Sequence, residues 1–202
     1  MRPLNAWTRY PRGDGTLRRT KIWMGTSSDH KYEEAKGILG EYGIELERLS
    51  IERVEIQADE PEVIAEYSLK VLDMDIPILI EDAGLYIDKY LGFPGPYSSY
   101  VLRTLDNEGI LKLMDGDEDR GAKYLSAVAF RDGDTSVTFR GEVKGEISHK
   151  ERGTGGFGYD PIFIPAEGDG RTFGEMSAAA KAKISHRARA LRQLAKWLIK
   201  QV

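Results

Sequence analysis

Short apolar runs alternate with segments of helical period along this chain, a pattern that predicts a mixed α/β protein. Lys21-Ile22-Trp23-Met24 reads as a strand running into a small polar loop, Gly25-Thr26-Ser27-Ser28. From Asp29 a helix is predicted, with Tyr32, Ala35, Ile38, Leu39 and Tyr42 on one face and Gly43 at its end. Glu45 to Gln57 reads as a second strand region ending in Val54-Glu55-Ile56-Gln57. Pro61 opens a helix carrying Val63, Ile64, Tyr67, Val71 and Leu72, with Glu60 and Glu62 at its favourable acidic start. After Pro77, Ile78-Leu79-Ile80 predicts a buried parallel strand that delivers Glu81, Asp82 and Gly84 at its C-terminal end.

Gly92 to Tyr100 reads as a rigid turn into a helix around Val101–Leu105, followed by a further helix over Asn107–Met114. Ala122–Phe130 and Ser136–Glu142 predict a hairpin about Asp132-Gly133, and Gly145-Glu146-Ile147 a short extra strand. The run Arg152-Gly153-Thr154-Gly155-Gly156-Phe157-Gly158-Tyr159-Asp160-Pro161 suits neither helix nor strand, because glycine costs backbone entropy without contributing packing. A short strand, Ile162–Ile164, anchors its end. One final helix is expected from about Ala178, with Ile184, Ala188, Leu191, Leu194 and Leu198 at helical spacing. Two strand-helix regions with a hairpin lobe between them predict a cleft.

Residues 1–20 stand apart. Arg2, Arg9, Arg12, Arg18 and Arg19 face the single acid Asp14, without periodicity. They read as a loosely ordered basic tail ahead of a working domain over 21–202. At 202 residues the chain is one domain, or two intimately packed lobes. Charged residues at 31% and hydrophobic ones at 41% describe a soluble globular protein, and the net charge of −4 gives no global attraction to nucleic acid or anionic membrane. No apolar run reaches the length of a membrane span, so a cytoplasmic location is expected. The absence of cysteine excludes disulfides, zinc–thiolate sites and thiol catalysis.

Four stretches carry chemistry. The polar loop opening a helix at Asp29, with His30 and Lys31, offers free N–H groups and positive charge to an anion, although simple capping by Ser28 fits the same residues. Carboxylates leaving an apolar strand are costly unless partnered, and Mg²⁺ prefers one or two carboxylates completed by phosphate oxygens and water. Phe157 and Tyr159 in the glycine loop suit a flat ring, whose edge Asp160 or a row of N–H groups can read. Lys181, Ser185, His186 and Arg187 cluster within two helical turns. Together these features suit a polyphosphate, its metal and a nucleobase, while no G-x-x-x-x-G-K-[ST] motif is present.

At these residues the chain resembles the inosine triphosphate pyrophosphatase family, in a form similar to archaeal members. The resemblance runs from about Lys21 to Leu198. It rests on Thr26…Lys31, Glu81-Asp82-Ala83-Gly84-Leu85, Gly92-Phe93-Pro94-Gly95-Pro96-Tyr97, Gly155 to Pro161, and Ser185-His186-Arg187. It implies a long central mixed sheet flanked by helices, with two lobes around a deep nucleotide cleft, and a homodimer. It also implies Mg²⁺-dependent hydrolysis of ITP, dITP and XTP to the monophosphate and pyrophosphate. By position, Glu55 and Asp82 would hold the metal, with Asp82 also the base for water. Thr26, Ser27, Ser28, Asp29, His30, Lys31 and Lys181 would hold the phosphates. Phe157, Gly158, Tyr159 and Asp160, with His186 and Arg187, would surround the base, and Ala83 and Ser99 would also touch substrate. The family usually has Asn where Ser28 stands and often Ser or Thr where Ala83 stands. Ser28 still donates and accepts; Ala83 offers no side-chain hydrogen bond. Two other readings compete: a regulatory protein that binds nucleotide without cleaving it, and a nucleic-acid binder using the basic tail and cleft.

Overall fold

The computed structural model describes residues 20–51 and 53–201. The expected basic tail falls almost wholly outside them, since strand β1 (Thr20–Gly25) opens the described chain. After β1 come α1 (Asp29–Gly40), β2 (Ile44–Leu49), α2 (Pro61–Lys70), β3 (Ile78–Ile87), β4 (Pro94–Gly95) and α3 (Ser98–Leu113). The remaining elements are β5 (Gly121–Asp132), β6 (Thr135–Ile147), β7 (Phe163–Pro165), α4 (Ala178–Ile184) and α5 (His186–Lys200). One sheet runs in the order β2-β1-β3-β5-β6-β7, with β4 added against β3. The expected mixed α/β architecture is therefore observed.

Strand β3 is less parallel than its apolar run predicts. It pairs in parallel with β1 only at Trp23↔Ile78 and Met24↔Leu79, whereas its full length from Ile78 to Ile87 lies antiparallel to β5. The register has a functional consequence. Because β1 stops at Gly25, Glu81 and Asp82 lie just past the point where the neighbouring strand gives way to the polar loop.

Side chains alternate across β3. Leu79 joins Ile22, Met24, Leu39, Val128, Leu191 and Leu194 in the core beneath α1 and α5. Ile78 and Ile80 join Ala65, Leu69, Ala127 and Ala129 beneath α2. A third core gathers Leu85, Val101, Ile110, Tyr124, Phe163 and Phe173 under α3 and the glycine-rich loop. By this alternation Glu81 takes the α1/α5 face and Asp82 the α2 face.

Several local expectations are corrected. Val54–Gln57 is not a strand: β2 ends at Leu49 opposite Gly25, the last residue of β1, so no ladder remains to extend. Helix α2 buries Pro61, Ile64, Ala65, Ser68 and Leu69, leaving Val63, Tyr67 and Val71 exposed. Ile64 and Leu69 pack inward beside the small Ala65 and Ser68, while Val63, Tyr67 and Val71 fall on the solvent side. Gly145-Glu146-Ile147 continues β6 rather than forming a separate strand. The two helices expected over 101–114 are observed within α3, meeting at Asp106, whose backbone is non-helical (φ 49°, ψ −162°). The single C-terminal helix is two: Ser185 is extended (φ −65°, ψ 152°), and its side chain accepts a hydrogen bond from Ala188 N to cap α5.

Where α5 begins, it presses on β6 at Gly141. A Cβ there would lie 1.9 Å from the His186 carbonyl oxygen and 2.7 Å from Ala190 N. Only glycine admits the first turn of α5 so close to the sheet.

Candidate active site

The polar loop after β1 does two jobs at once. Ser28 Oγ accepts from Lys31 N at 3.3 Å and so caps α1, while Thr26 Oγ1 accepts from Ser28 N at 3.1 Å. Arg48 braces the loop from β2 by donating to the carbonyls of Thr26 (3.2 Å) and Ser27 (2.8 Å) and by pairing with Asp29. Capping thus takes the Ser28 side chain, and α1 is left to present Lys31 inward.

Lys31 Nζ lies 2.8 Å from Glu81 Oε2. The other oxygen of Glu81 accepts from Ser126 Oγ at 2.8 Å and from Arg187 Nε at 3.1 Å. Arg187 also pairs with Glu34 of α1, and Glu34 receives Lys181 Nζ at 2.7 Å. Lys181 in turn reaches Asp160 Oδ2 at 2.6 Å. Three cations and three carboxylates thus alternate through one balanced network, drawn from α1, β3, the glycine-rich loop, α4 and α5. Burial opposes ionisation of Glu81, but Arg187, Lys31 and the Ser126 hydroxyl hold its carboxyl well below the usual range. Glu34 behaves alike: burial raises it, and Arg187 and Lys181 pull it below its ordinary value.

The neighbouring acid is treated differently. Burial pushes Asp82 up to about 6, against the pull of Lys31, and Glu81 and Glu55 add to the rise. Among the described residues its buried Oδ2 has no hydrogen-bond partner. Arg53 donates to the Glu81 carbonyl at 3.1 Å and pairs with Glu55, which holds that carboxylate beside this stretch of β3. Among the described residues, no group of three or more His, Cys, Asp or Glu side chains gathers as a metal cage.

The glycine-rich loop is folded around Asp160, which accepts Phe157 N at 2.8 Å as well as Lys181. Gly156 makes this possible. Its φ is +71°, and a Cβ there would meet Asp160 Oδ2 at 2.1 Å. The Phe157 ring stacks on His30 with centroids 4.9 Å apart and planes 8° from parallel. Lys181 Nζ lies 4.7 Å and the Arg187 guanidinium carbon 5.3 Å from the same ring's centroid. Burial raises Asp160 even against Lys181.

Other residues singled out in the sequence have structural partners. Tyr159 is buried and donates to the Ser98 carbonyl at 2.9 Å. Gly158 O accepts from Asn107 Nδ2 at 3.2 Å. His186 stacks on Tyr124, centroids 4.4 Å apart. Burial, with Arg187 and Lys181 nearby, holds it far below the usual histidine range, and its Nδ1 has no partner. Ala83 follows Asp82 on β3, half-buried. Ser99 is exposed on α3 and only accepts a long 3.4 Å contact from Arg103, so nothing links it to the network. Lys181, His186 and Arg187 are 4%, 3% and 2% exposed, against the surface placement that basic residues on a helix usually take.

Sequence reasoning missed Glu34, Ser126, Arg53 and Asn107. Glu34 has the only readable signal, one helical turn after Lys31 and therefore on its face. Ser126 and Arg53 reach the site only through strand pairing and chain return.

A match to the Ham1 family spans residues 22–197. The chain belongs to the Ham1 family. It is 48% identical over 180 residues to the dITP/XTP pyrophosphatase of Methanopyrus kandleri, covering 88% of this chain and 95% of that one. With the dITP/XTP pyrophosphatase of Thermococcus kodakarensis it shares 47% identity over 175 residues, 86% of this chain and 94% of that protein. The fold superposes on a HAM1 protein from Coxiella burnetii with a TM-score of 0.78 and 26% identity, covering 90% of this chain and 99% of the other. The archaeal character of the sequence blocks agrees with the Methanopyrus and Thermococcus relatives.

Proposed function

We propose that the protein is a dITP/XTP pyrophosphatase, hydrolysing ITP, dITP and XTP to the nucleoside monophosphate and pyrophosphate. The observation that carries this reading is the contrast on β3: Glu81 is ion-paired with Lys31 and Arg187, whereas Asp82 beside it is buried with no ion pair among the described residues. A mere nucleotide binder has no need of a buried carboxylate left short of partners at the phosphate end of its cleft.

Burial makes the Asp82 carboxylate more basic than an ordinary one, which favours a general base, while a cation bound beside it would act in the opposite direction. Asp82 takes the proton from the attacking water, whose oxygen forms the new P–O bond. The bond between the α- and β-phosphoryl groups breaks, and pyrophosphate leaves with the electron pair. Lys31, on the first turn of α1, places positive charge where negative charge builds up. The Asp82 side of β3 fits a divalent cation: Asp82 and Glu55 offer hard carboxylate oxygens, and the orphaned Oδ2 is a vacant donor position. Mg²⁺ held there would neutralise charge on the phosphate oxygens and orient water.

Base recognition follows from donor count. Arg187 has five N–H donors, and its two carboxylate partners leave others to meet a 6-keto oxygen. Adenine presents a 6-amino donor there, and facing buried donors of this kind rejects a substrate by as much as about 10⁴-fold. The resemblance adds a homodimer working in the cytoplasm. Its support on the surface is an apolar hollow that includes Leu91, Phe93, Leu105 and Leu113, all exposed. Among the described residues no helix is long and apolar enough to cross a membrane.

The test is incubation with Mg²⁺ and ITP, XTP, GTP or ATP separately, with products separated by chromatography. Monophosphate and pyrophosphate from ITP and XTP, with ATP and GTP largely intact, is the expected result. Tight ITP binding without products would restore the regulatory reading, and diphosphate plus phosphate would place the cleavage at the wrong bond.

A further inference from the structure

We infer that His30 is the second wall of the base slot, so that the purine slides between the imidazole and the Phe157 ring instead of resting on Phe157 alone. The inference rests on the nucleotide reading above and moves His30 from the phosphate group to the base. Successive helical residues point about 100° apart. Lys31 uses its direction to reach Glu81, and His30 uses the preceding one to lie flat on Phe157.

Two kinds of neighbour approach Phe157. Lys181 and Arg187 are buried, held in place by Glu34, Glu81 and Asp160, and cannot withdraw without stranding charges. His30 is exposed on the first turn of α1. A base arriving from solvent therefore meets the His30–Phe157 pair, and the movable member is His30. Flat rings in contact sit about 3.5 Å apart, so admitting a purine means moving the imidazole outward by about that distance. A side-chain rotation accomplishes this without disturbing β1 or α1. One aromatic contact is given up and two base contacts replace it. The near-parallel planes, 8° apart, mean that the slot is already aligned for a flat ligand.

Stacking grips every base by its face and reads none by its edge. Removal of the wall therefore weakens all purine nucleotides by the same factor and leaves the preference for ITP over ATP unchanged. The experiment compares wild type, His30→Ala and His30→Phe with ITP, XTP and ATP, and measures ITP binding at equilibrium in chelator. Expected are a rise of about tenfold in KM and in the ITP dissociation constant for His30→Ala, with kcat within about twofold, an unchanged ITP/ATP ratio, and recovery in His30→Phe. An unchanged or lower dissociation constant in His30→Ala would overturn the inference, as would failure of His30→Phe to recover binding. If wild type binds ITP but does not cleave it, the binding comparison still decides the clamp while the hydrolase reading fails. If wild type neither binds ITP nor cleaves it with Mg²⁺ present, both fall.

Discussion

Glu81 and Asp82 are adjacent on one strand, yet the protein builds opposite environments around them. Glu81 faces α1 and α5, where Lys31, Arg187 and Ser126 occupy both of its oxygens and keep it ionised. Asp82 faces the α2 side, where burial lifts it to about 6 and one oxygen finds no partner. The first environment is balanced by cations without a ligand, Glu81 Oε2 resting on the Lys31 ion pair alone, and fixes geometry. The second is left incomplete, and incompleteness of a buried charge is tolerable only where something binds or reacts.

The sharpest way to break this contrast is to neutralise each acid in turn. Asp82→Asn is expected to lower kcat for ITP by about 10³- to 10⁴-fold while ITP still binds, as equilibrium binding beside steady-state kinetics would reveal. The same variant should lose the rise in Tm that Mg²⁺ gives the wild type, a shift that chelator reverses. Full turnover in Asp82→Asn would remove the base assignment. Glu81→Gln should instead act on the fold, costing about 3–5 kcal/mol in urea unfolding because Lys31 and Arg187 lose a buried counter-charge. Equal stability of Glu81→Gln and wild type would show that the network is slack.

A smaller effect comes from geometry. Gly141→Ala drives a methyl group against the His186 carbonyl and should cost about 1–3 kcal/mol, displacing Arg187 more than Asp82. A larger KM with Mg²⁺ affinity unchanged is the expected kinetic signature.

The smallest effect concerns acid. His186 is buried neutral, with its folded value far below the unfolded one near 6.5. The sign follows: the unfolded chain takes up the proton first, so stability is complete above about pH 6.5 and declines as pH falls below it. Asp82, raised to about 6, takes up its proton in the same window with the opposite sign, so the histidine's part is the difference between wild type and His186→Gln in urea titrations at about pH 7 and about pH 5. The same pH dependence in wild type and His186→Gln would remove the histidine's part. Glu81 contributes nothing in this window, because it sheds its charge only at much lower pH.

Much of this was legible beforehand. The start of α1, the strand at Ile78, the hairpin, the glycine-rich loop and the basic cluster of Lys181, His186 and Arg187 all follow from local patterns. What failed did so for non-local reasons. Val54–Gln57 has strand composition but no neighbour to pair with once β1 has ended. Helix α2 turns Ile64, Ala65 and Leu69 to the sheet and leaves Val63, Tyr67 and Val71 to solvent, a choice of face made by the packing on β3 and β5. The C-terminal helix breaks at Ser185, where local periodicity is uninterrupted but the hydroxyl supplies a cap.

The sequence by itself determined the elements, the mixed α/β class and the cast of charged and aromatic residues, because helical period, strand alternation and glycine placement are local properties of the chain. Only the tertiary structure decided their partners. Glu34 meets Lys181 and Arg187 across about 150 residues of chain, and Ser126 reaches Glu81 only because β5 runs antiparallel to β3. Partnership, set by register and packing, is also what separates a fixed carboxylate from a reactive one.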